Sequence, residues 1–167
     1  MLRRVGSLVT LILAGAALVA PAAGADDLLD RTKLAKQVGV AVAAAHPDLA
    51  VTRVRCPKTV KAKAGVTALC TVTAGTFPLE MLVTVVDRKG NVTITATQAV
   101  IPKASAEFLV ASNSTLGATV DCGPAPYLVR RPGEPITCTA TFPDGTQSQV
   151  TLTVNDVAGN ATITAAT

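Results

Sequence analysis

The chain has 167 residues, with 15 basic and 11 acidic side chains, and only 2% of its residues are aromatic. This length accommodates one ordinary domain or two small ones. Four aromatic rings and one histidine, His46, are too few for a base-stacking platform, an aromatic cage or a histidine-rich metal site. We therefore expect no nucleic-acid partner, no metal and no cofactor.

The first 25 residues have the pattern of a secretory signal peptide. Arg3 and Arg4 supply the positive charge, and an apolar run over 5–20 leads to an Ala-x-Ala cleavage pattern that ends at Ala25. The run is shorter than the roughly 20 residues that a membrane span requires. We therefore expect cleavage after Ala25 and a secreted or envelope-associated protein without a stable membrane span. A signal segment retained as an anchor is the alternative.

The remaining chain divides into a basic part and a slightly acidic part. Residues 26–97 hold ten basic and six acidic side chains, whereas residues 98–167 hold three and five. Such an asymmetry indicates two units rather than one uniform polycation. We place the first unit at residues 26–98 and the second at 99–167.

Each unit is predicted to contain one helix followed by four strands. The first helix spans 27–45 and ends before Pro47, and the second spans Lys103–Ser112 after Pro102. Apolar residues alternate with threonine in the later strands, which is typical of a sheet with one buried face. The predicted strands cover residues 50–55, 66–73, 79–86 and 91–97, then 118–122, 136–142, 147–155 and 160–165. The predicted fold is therefore α+β in two tandem units, each a helix packed on a four-stranded antiparallel sheet.

The four cysteines make the repeat visible. In each unit a glycine precedes the second cysteine by five positions, and an Asp-x-x-Gly-Asn turn follows, at 87–91 and at 156–160. An even cysteine count in an exported chain favours disulfides. Only one pairing is the same in both copies, namely Cys56–Cys70 and Cys122–Cys138. Zinc ligation and redox exchange are less favoured because neither half has a Cys-x-x-Cys motif or a nearby histidine.

The pattern of a helix, Val-x-x-Val-x-Cys56-Pro57, Gly65, Cys70 and a valine-rich hairpin resembles the actinobacterial domain of unknown function 4333. Both halves carry the cysteine pair, so the chain resembles two tandem copies over roughly residues 30–167. Cys122-Gly123-Pro124 departs from the Cys-Pro step. The resemblance implies secretion or envelope association, and it supplies no catalytic residues.

Two groups of residues are candidates for binding a partner. The first group is a run of cations without an intervening acid: Arg53, Arg55, Lys58, Lys61 and Lys63. Such a run attracts an anionic envelope component or an acidic exported protein, although an ordinary solvated strand and loop is the alternative. The second group lies in a proline-rich loop of the second unit: Tyr127, Arg130 and Arg131. Tyrosine and arginine are favoured anchors at interfaces, but Tyr127 folded back onto the core is an equal alternative.

Three further residues receive structural interpretations. His46 lies at the predicted end of the first helix, where it suits a capping role better than that of a general base beside Asp48. Glu80 and Glu134 belong to different units and non-equivalent positions, so we discount them as a catalytic carboxylate pair.

These observations favour a non-enzymatic binding or structural module that acts outside the cytoplasm. A secreted inhibitor or regulator of another enzyme, with the proline-rich loop as its wedge, is the first alternative. A small hydrolase is the second.

The exported protein should have the mass of residues 26–167 less four thiol hydrogens. Intact-mass measurement of protein recovered from outside the cytoplasm tests cleavage and disulfide formation together. A mass that includes residues 1–25 would show that the signal segment is retained.

Overall fold

A computed structural model describes residues 28–114 and 117–166. The predicted signal peptide lies outside the described residues. The first part of the chain forms α1 (Arg31–Ala45), β1 (Val51–Arg55), β2 (Thr67–Ala74), β3 (Phe77–Val85) and β4 (Val92–Ala96). The remainder forms β5 (Ala99–Pro102), α2 (Lys103–Ser112), β6 (Thr119–Asp121), β7 (Tyr127–Arg130), β8 (Pro135–Thr141), β9 (Gln147–Val154) and β10 (Ala161–Ala166).

Helix α1 begins later than predicted because Asp30 caps it. The Asp30 carboxylate accepts hydrogen bonds from the backbone N–H groups of Thr32 and Lys33, at 2.8 and 3.1 Å. Residues 28 and 29 are extended, since the Leu29 N–H donates to the Val60 carbonyl at 2.8 Å. The predicted start at 27 lies outside the described residues, and 28–30 are not helical. Here pairing with a distant loop competes successfully with helix formation.

The first four strands form one antiparallel sheet in the order β1-β2-β3-β4. Buried residues alternate along β3 at Leu79, Met81, Val83 and Val85, so one face of the sheet is apolar. Helix α1 covers that face with Leu34, Val38 and Val42, which are at most 2% exposed. Their spacing of four residues places them on one side of the helix.

The second part of the chain repeats this arrangement with a shorter helix. Strands β6, β8, β9 and β10 form an antiparallel sheet in that spatial order. Ala106 and Val110 of α2 pack with Ile136, Leu152 and Val154 of the sheet in a second core cluster. The predicted α+β class, with two helix-and-sheet units, is confirmed.

A two-stranded antiparallel sheet of β5 and β7, here called the ribbon, was not predicted. Residues 127–130 were expected to lie in a proline-rich surface loop, and that expectation is wrong. The ribbon has apolar contacts on both faces: one face is buried and the other is half-buried. Ala99, Ile101 and Leu128 belong to the second core, whereas Val100 and Val129 pack against the first.

Corresponding contacts recur in the two halves. Leu29 packs against Gly90, and Ile101 packs against Gly159; a Cβ at either glycine would lie 3.3 or 3.2 Å from that side chain. Both glycines also have a positive φ, 87° and 89°, which an L side chain rarely adopts. Glycine is therefore required at each turn for both space and backbone conformation.

Both predicted disulfides are present, joining Cys56 to Cys70 and Cys122 to Cys138. All four cysteines are buried within the cores. Such bonds indicate an oxidising, extracytoplasmic compartment. Over the described ranges, no helix is long and apolar enough to span a membrane.

Replacing Cys122 and Cys138 by alanine should lower the free energy of unfolding by about 3 kcal/mol. The bond closes a loop across a sequence separation of 16 residues, and its loss increases the entropy of the unfolded chain. Urea unfolding under non-reducing conditions measures the effect. An unchanged midpoint and slope would contradict a structural role for the bond.

Candidate functional site

The five cations Arg53, Arg55, Lys58, Lys61 and Lys63, together called the basic surface, occupy an edge strand and the loop after it. Val54 lies toward α1, since its Cγ2 atom would be 3.4 Å from a Cβ on Gly39. Side chains alternate along a strand, so Arg53 and Arg55 lie on the sheet face away from the helix. Both arginines are exposed.

The loop that carries the three lysines is anchored at several points. Val60 is only 4% exposed and belongs to the first core. Its carbonyl accepts the Leu29 N–H, and the Gly65 N–H donates to the Val85 carbonyl at 2.9 Å. Lys58, Lys61 and Lys63 are exposed on this anchored loop. Binding through them therefore requires little additional ordering of the backbone.

Within the described part of the chain, no carboxylate lies within 4.0 Å of any cation of the basic surface. Unpaired cations on an edge strand also oppose edge-to-edge association of sheets. The three loop lysines lie outside the strand, so protection of the edge does not account for them. The basic surface therefore presents its positive charge to solvent.

The second unit does not reproduce this surface. Strand β6 pairs with β8 at the edge of the second sheet, as β1 pairs with β2 in the first. The positions of Arg53 and Arg55 are occupied there by Thr119 and Asp121. The Asp121 carboxylate accepts a hydrogen bond from the Lys103 ammonium at 2.7 Å. That hydrogen bond, with one from the Gly123 backbone, holds the pKa of Asp121 below its usual value. Part of the charge asymmetry seen in the sequence is therefore a difference between equivalent edges.

Tyr127, predicted as a candidate anchor for a partner, packs against the first core. It is half-buried against the first core, and its ring centroid lies 5.9 Å from that of Phe77. The planes are inclined by 58°, within the range of favourable aromatic pairs. The structure thus shows the alternative arrangement, with the ring folded back, although the core it joins is that of the first unit.

The two arginines of the former loop also have internal partners. The Arg131 guanidinium forms an ion pair with Glu80 of β3, and this hydrogen bond raises the pKa of Arg131. The Arg130 side chain donates to the carbonyls of Pro135 and Val129, at 3.2 and 2.8 Å. Both arginine side chains therefore have partners within the protein, although Arg131 lies just after β7 and stays exposed.

Glu80 and Glu134, discounted as a pair in the sequence, meet at Arg131. Glu80 pairs with its guanidinium, while Glu134 accepts its backbone N–H at 2.8 Å. The Glu80 backbone is held in turn by the side chains of Gln98 and Thr97. Because Glu80 and Arg131 are 51 residues apart and sit in different units, no local pattern reveals this pair.

His46 is the C-cap of α1, where its backbone N–H donates to the Val42 carbonyl at 2.9 Å. It borders a cavity of about 40 Å³ that Glu80 and Gln98 also line. A space of this size admits no more than a few waters and is far below the roughly 300 Å³ of the smallest ligand sites. Among the described residues, no group of three or more His, Cys, Asp or Glu side chains is placed to hold a metal ion.

Replacing Tyr127 by alanine should lower the free energy of unfolding by about 2 kcal/mol, because ring burial and the contact with Phe77 are lost. Tyr127→Phe keeps the ring and should remain within about 0.5 kcal/mol of the wild type. Chemical denaturation of both variants measures the difference. Equal stability of all three proteins would show that the ring does not join the two halves.

Comparison with known proteins gives one family match. The model of a domain of unknown function, DUF4333, matches residues 13–99, which is more than half of the chain. No curated protein and no solved structure matches. The matched region contains α1, the first sheet, the Cys56–Cys70 bond and the basic surface. The chain therefore belongs to the DUF4333 family.

Proposed function

We propose that this protein is a secreted or envelope-associated, non-enzymatic binding module. Its basic surface contacts an anionic component of the cell envelope. The observation that carries the proposal is the set of five exposed cations, unpaired among the described residues, on an edge and a loop fixed by the Cys56–Cys70 bond. Positive charge attracts anionic surfaces at long range. Because the backbone that carries these cations is already anchored, it loses little conformational entropy on contact.

The localisation in this proposal combines the two disulfides with the signal pattern of residues 1–25. Export with cleavage after Ala25 delivers the chain to an oxidising compartment that contains anionic lipids and polymers. Removal of Arg3 and Arg4 leaves ten of the remaining 13 basic residues in the first unit. The basic surface is therefore a property of the exported domain.

We further propose that the second unit is a diverged copy of the same domain. Its disulfide, its Asp-x-x-Gly-Asn turn and the packing of Ile101 on Gly159 match those of the first unit. Tyr127 and Arg131 lie in the segment that corresponds to the lysine-bearing loop of the first unit, but they contact the first unit. In this proposal the second copy supports the first rather than repeating its contact surface.

Neutralising Lys58 and Lys61 to glutamine should weaken sedimentation with isolated envelope fractions by roughly three- to tenfold at low salt, since exposed charge pairs contribute up to about 1 kcal/mol each. The difference should shrink as salt is added, because counterions screen exposed charges.

The matched control is Gln147→Glu with Gln149→Glu, on the exposed face of β9. It lowers the net charge by the same two units without touching the basic surface. An equal loss in both variants would indicate a response to net charge alone. Binding that is unchanged in the lysine variant at every salt concentration would refute the proposed contact surface.

A further inference from the structure

A cleft beside the first turn of α1 is lined by three cations that do not belong to the basic surface. Its volume is about 430 Å³, and the first turn of α1, the cysteine loop and the β3–β4 turn border it. Its cationic lining consists of Lys33, Arg88 and Lys89, and its apolar lining includes Leu28 and Leu29. The volume falls within the roughly 300–1,000 Å³ of small-molecule sites. We call it the α1 cleft.

The three cations of the α1 cleft are exposed and have no carboxylate within 4.0 Å among the described residues. Asp30 also borders the cleft, but its carboxylate accepts the backbone N–H groups of Thr32 and Lys33 as the helix cap. Nearby, Asp87 accepts a hydrogen bond from the Asn91 side chain at 2.6 Å. The Asn91 hydrogen bond, together with the charge of Lys89, lowers the pKa of Asp87, yet neither carboxylate lies within 4.0 Å of a cleft cation. The three cations therefore exceed the two carboxylates that flank the cleft.

The second unit supplies an internal comparison, because the same framework there lacks the charges. In both turns the aspartate accepts the backbone and side-chain N–H groups of the asparagine four residues later. The two central positions are Arg88 and Lys89 in the first turn, but Val157 and Ala158 in the second. Two residues after its first residue, α1 carries Lys33, whereas α2 carries Ser105.

All three cations can therefore be absent without loss of the turn or the helix start. Their presence together around one cleft is not a requirement of the fold. A guanidinium fork and two ammonium groups suit an oxyanion with several charged oxygens better than a single carboxylate. The two leucines provide an apolar wall for an organic substituent next to that anion.

We propose that the α1 cleft binds a phosphate ester, with the phosphate between Lys33, Arg88 and Lys89 and its organic substituent against Leu28 and Leu29. Ala62 of the cleft lies between Lys61 and Lys63 of the basic surface in the chain, so the cysteine loop contributes to both regions. The inference deepens the proposed function, on which it rests, by naming the chemical group recognised.

The test is an NMR titration of the isotope-labelled exported chain with glycerol phosphate. We expect saturable shifts at the amides of Lys33 and of residues 88–91. The variant Arg88→Val with Lys89→Ala copies the turn of the second unit and should bind at least about tenfold more weakly. Lys33→Ser, which copies Ser105, serves as a second variant should the double variant unfold at a lower denaturant concentration.

The control Gln147→Glu with Gln149→Glu removes the same net charge from the second unit and should bind glycerol phosphate as the wild type does. Equal weakening in this control would overturn the site, as would the absence of saturable shifts. Shifts confined to the basic surface would also overturn it, while leaving the proposed function in place. Failure of the envelope assay with intact glycerol phosphate binding would instead reject the contact surface and keep the cleft.

Vesicles of phosphatidylcholine with and without phosphatidylglycerol distinguish a lipid from a soluble source of the ester. If the wild type binds the phosphatidylglycerol vesicles and Arg88→Val with Lys89→Ala abolishes that binding, the ligand of the α1 cleft is the lipid headgroup. Binding of glycerol phosphate alone assigns a soluble or polymeric ester. If neither arm responds to the double variant, the phosphate site is refuted.

Discussion

The ribbon of β5 and β7 is the constraint on which the arrangement of the two halves depends. Its residues alternate between two cores, since Ile101 and Leu128 are buried in the second while Val100 and Val129 pack against the first. An antiparallel sheet commonly has one face on the core and one face in solvent, but this pair of strands has apolar partners on both faces. Separating the halves would expose one face of the ribbon, together with the ring of Tyr127 and the ion pair between Arg131 and Glu80. The ribbon therefore joins the halves through packing rather than through a linker alone.

Because the second unit packs against the first through the ribbon, the loops between the paired cysteines have different contacts in the two units. In the first unit, the loop between the cysteines contributes Val60 to the core and exposes lysines on either side of it. In the second unit, the corresponding segment forms β7 and directs Tyr127 and Arg131 onto the first unit. A similar framework thus presents charge to solvent in one unit and contacts its neighbour in the other. The proposed division between a binding unit and a supporting unit follows from that contrast.

The candidate site was only partly visible in the sequence. The basic surface was predictable because its five cations lie within eleven consecutive residues and no acid interrupts them. The α1 cleft was not, since Lys33 and Arg88 come from elements more than 50 residues apart and neither stands out in its own segment. Tyr127 was predicted as a binding anchor because tyrosine is favoured at interfaces, but the sequence did not indicate which residues surround its ring. Whether an aromatic ring points outward or inward depends on what packs against the strand, and here Phe77 lies beside it.

What the sequence by itself determined is the part of the structure governed by local and repeated patterns. Strand alternation, the Asp-x-x-Gly-Asn turns and α2 were predictable because they depend on neighbouring residues, and the disulfide pairing followed from the repeat. Only the tertiary structure decided the ribbon, the meeting of Glu80 with Arg131, and the convergence of three cations on one cleft. Strands β5 and β7 have four residues each, with a helix and a strand between them, so their local signal is weak. Their pairing is stabilised by two cores that exist only once both sheets have formed, and a pattern along the chain does not contain that information.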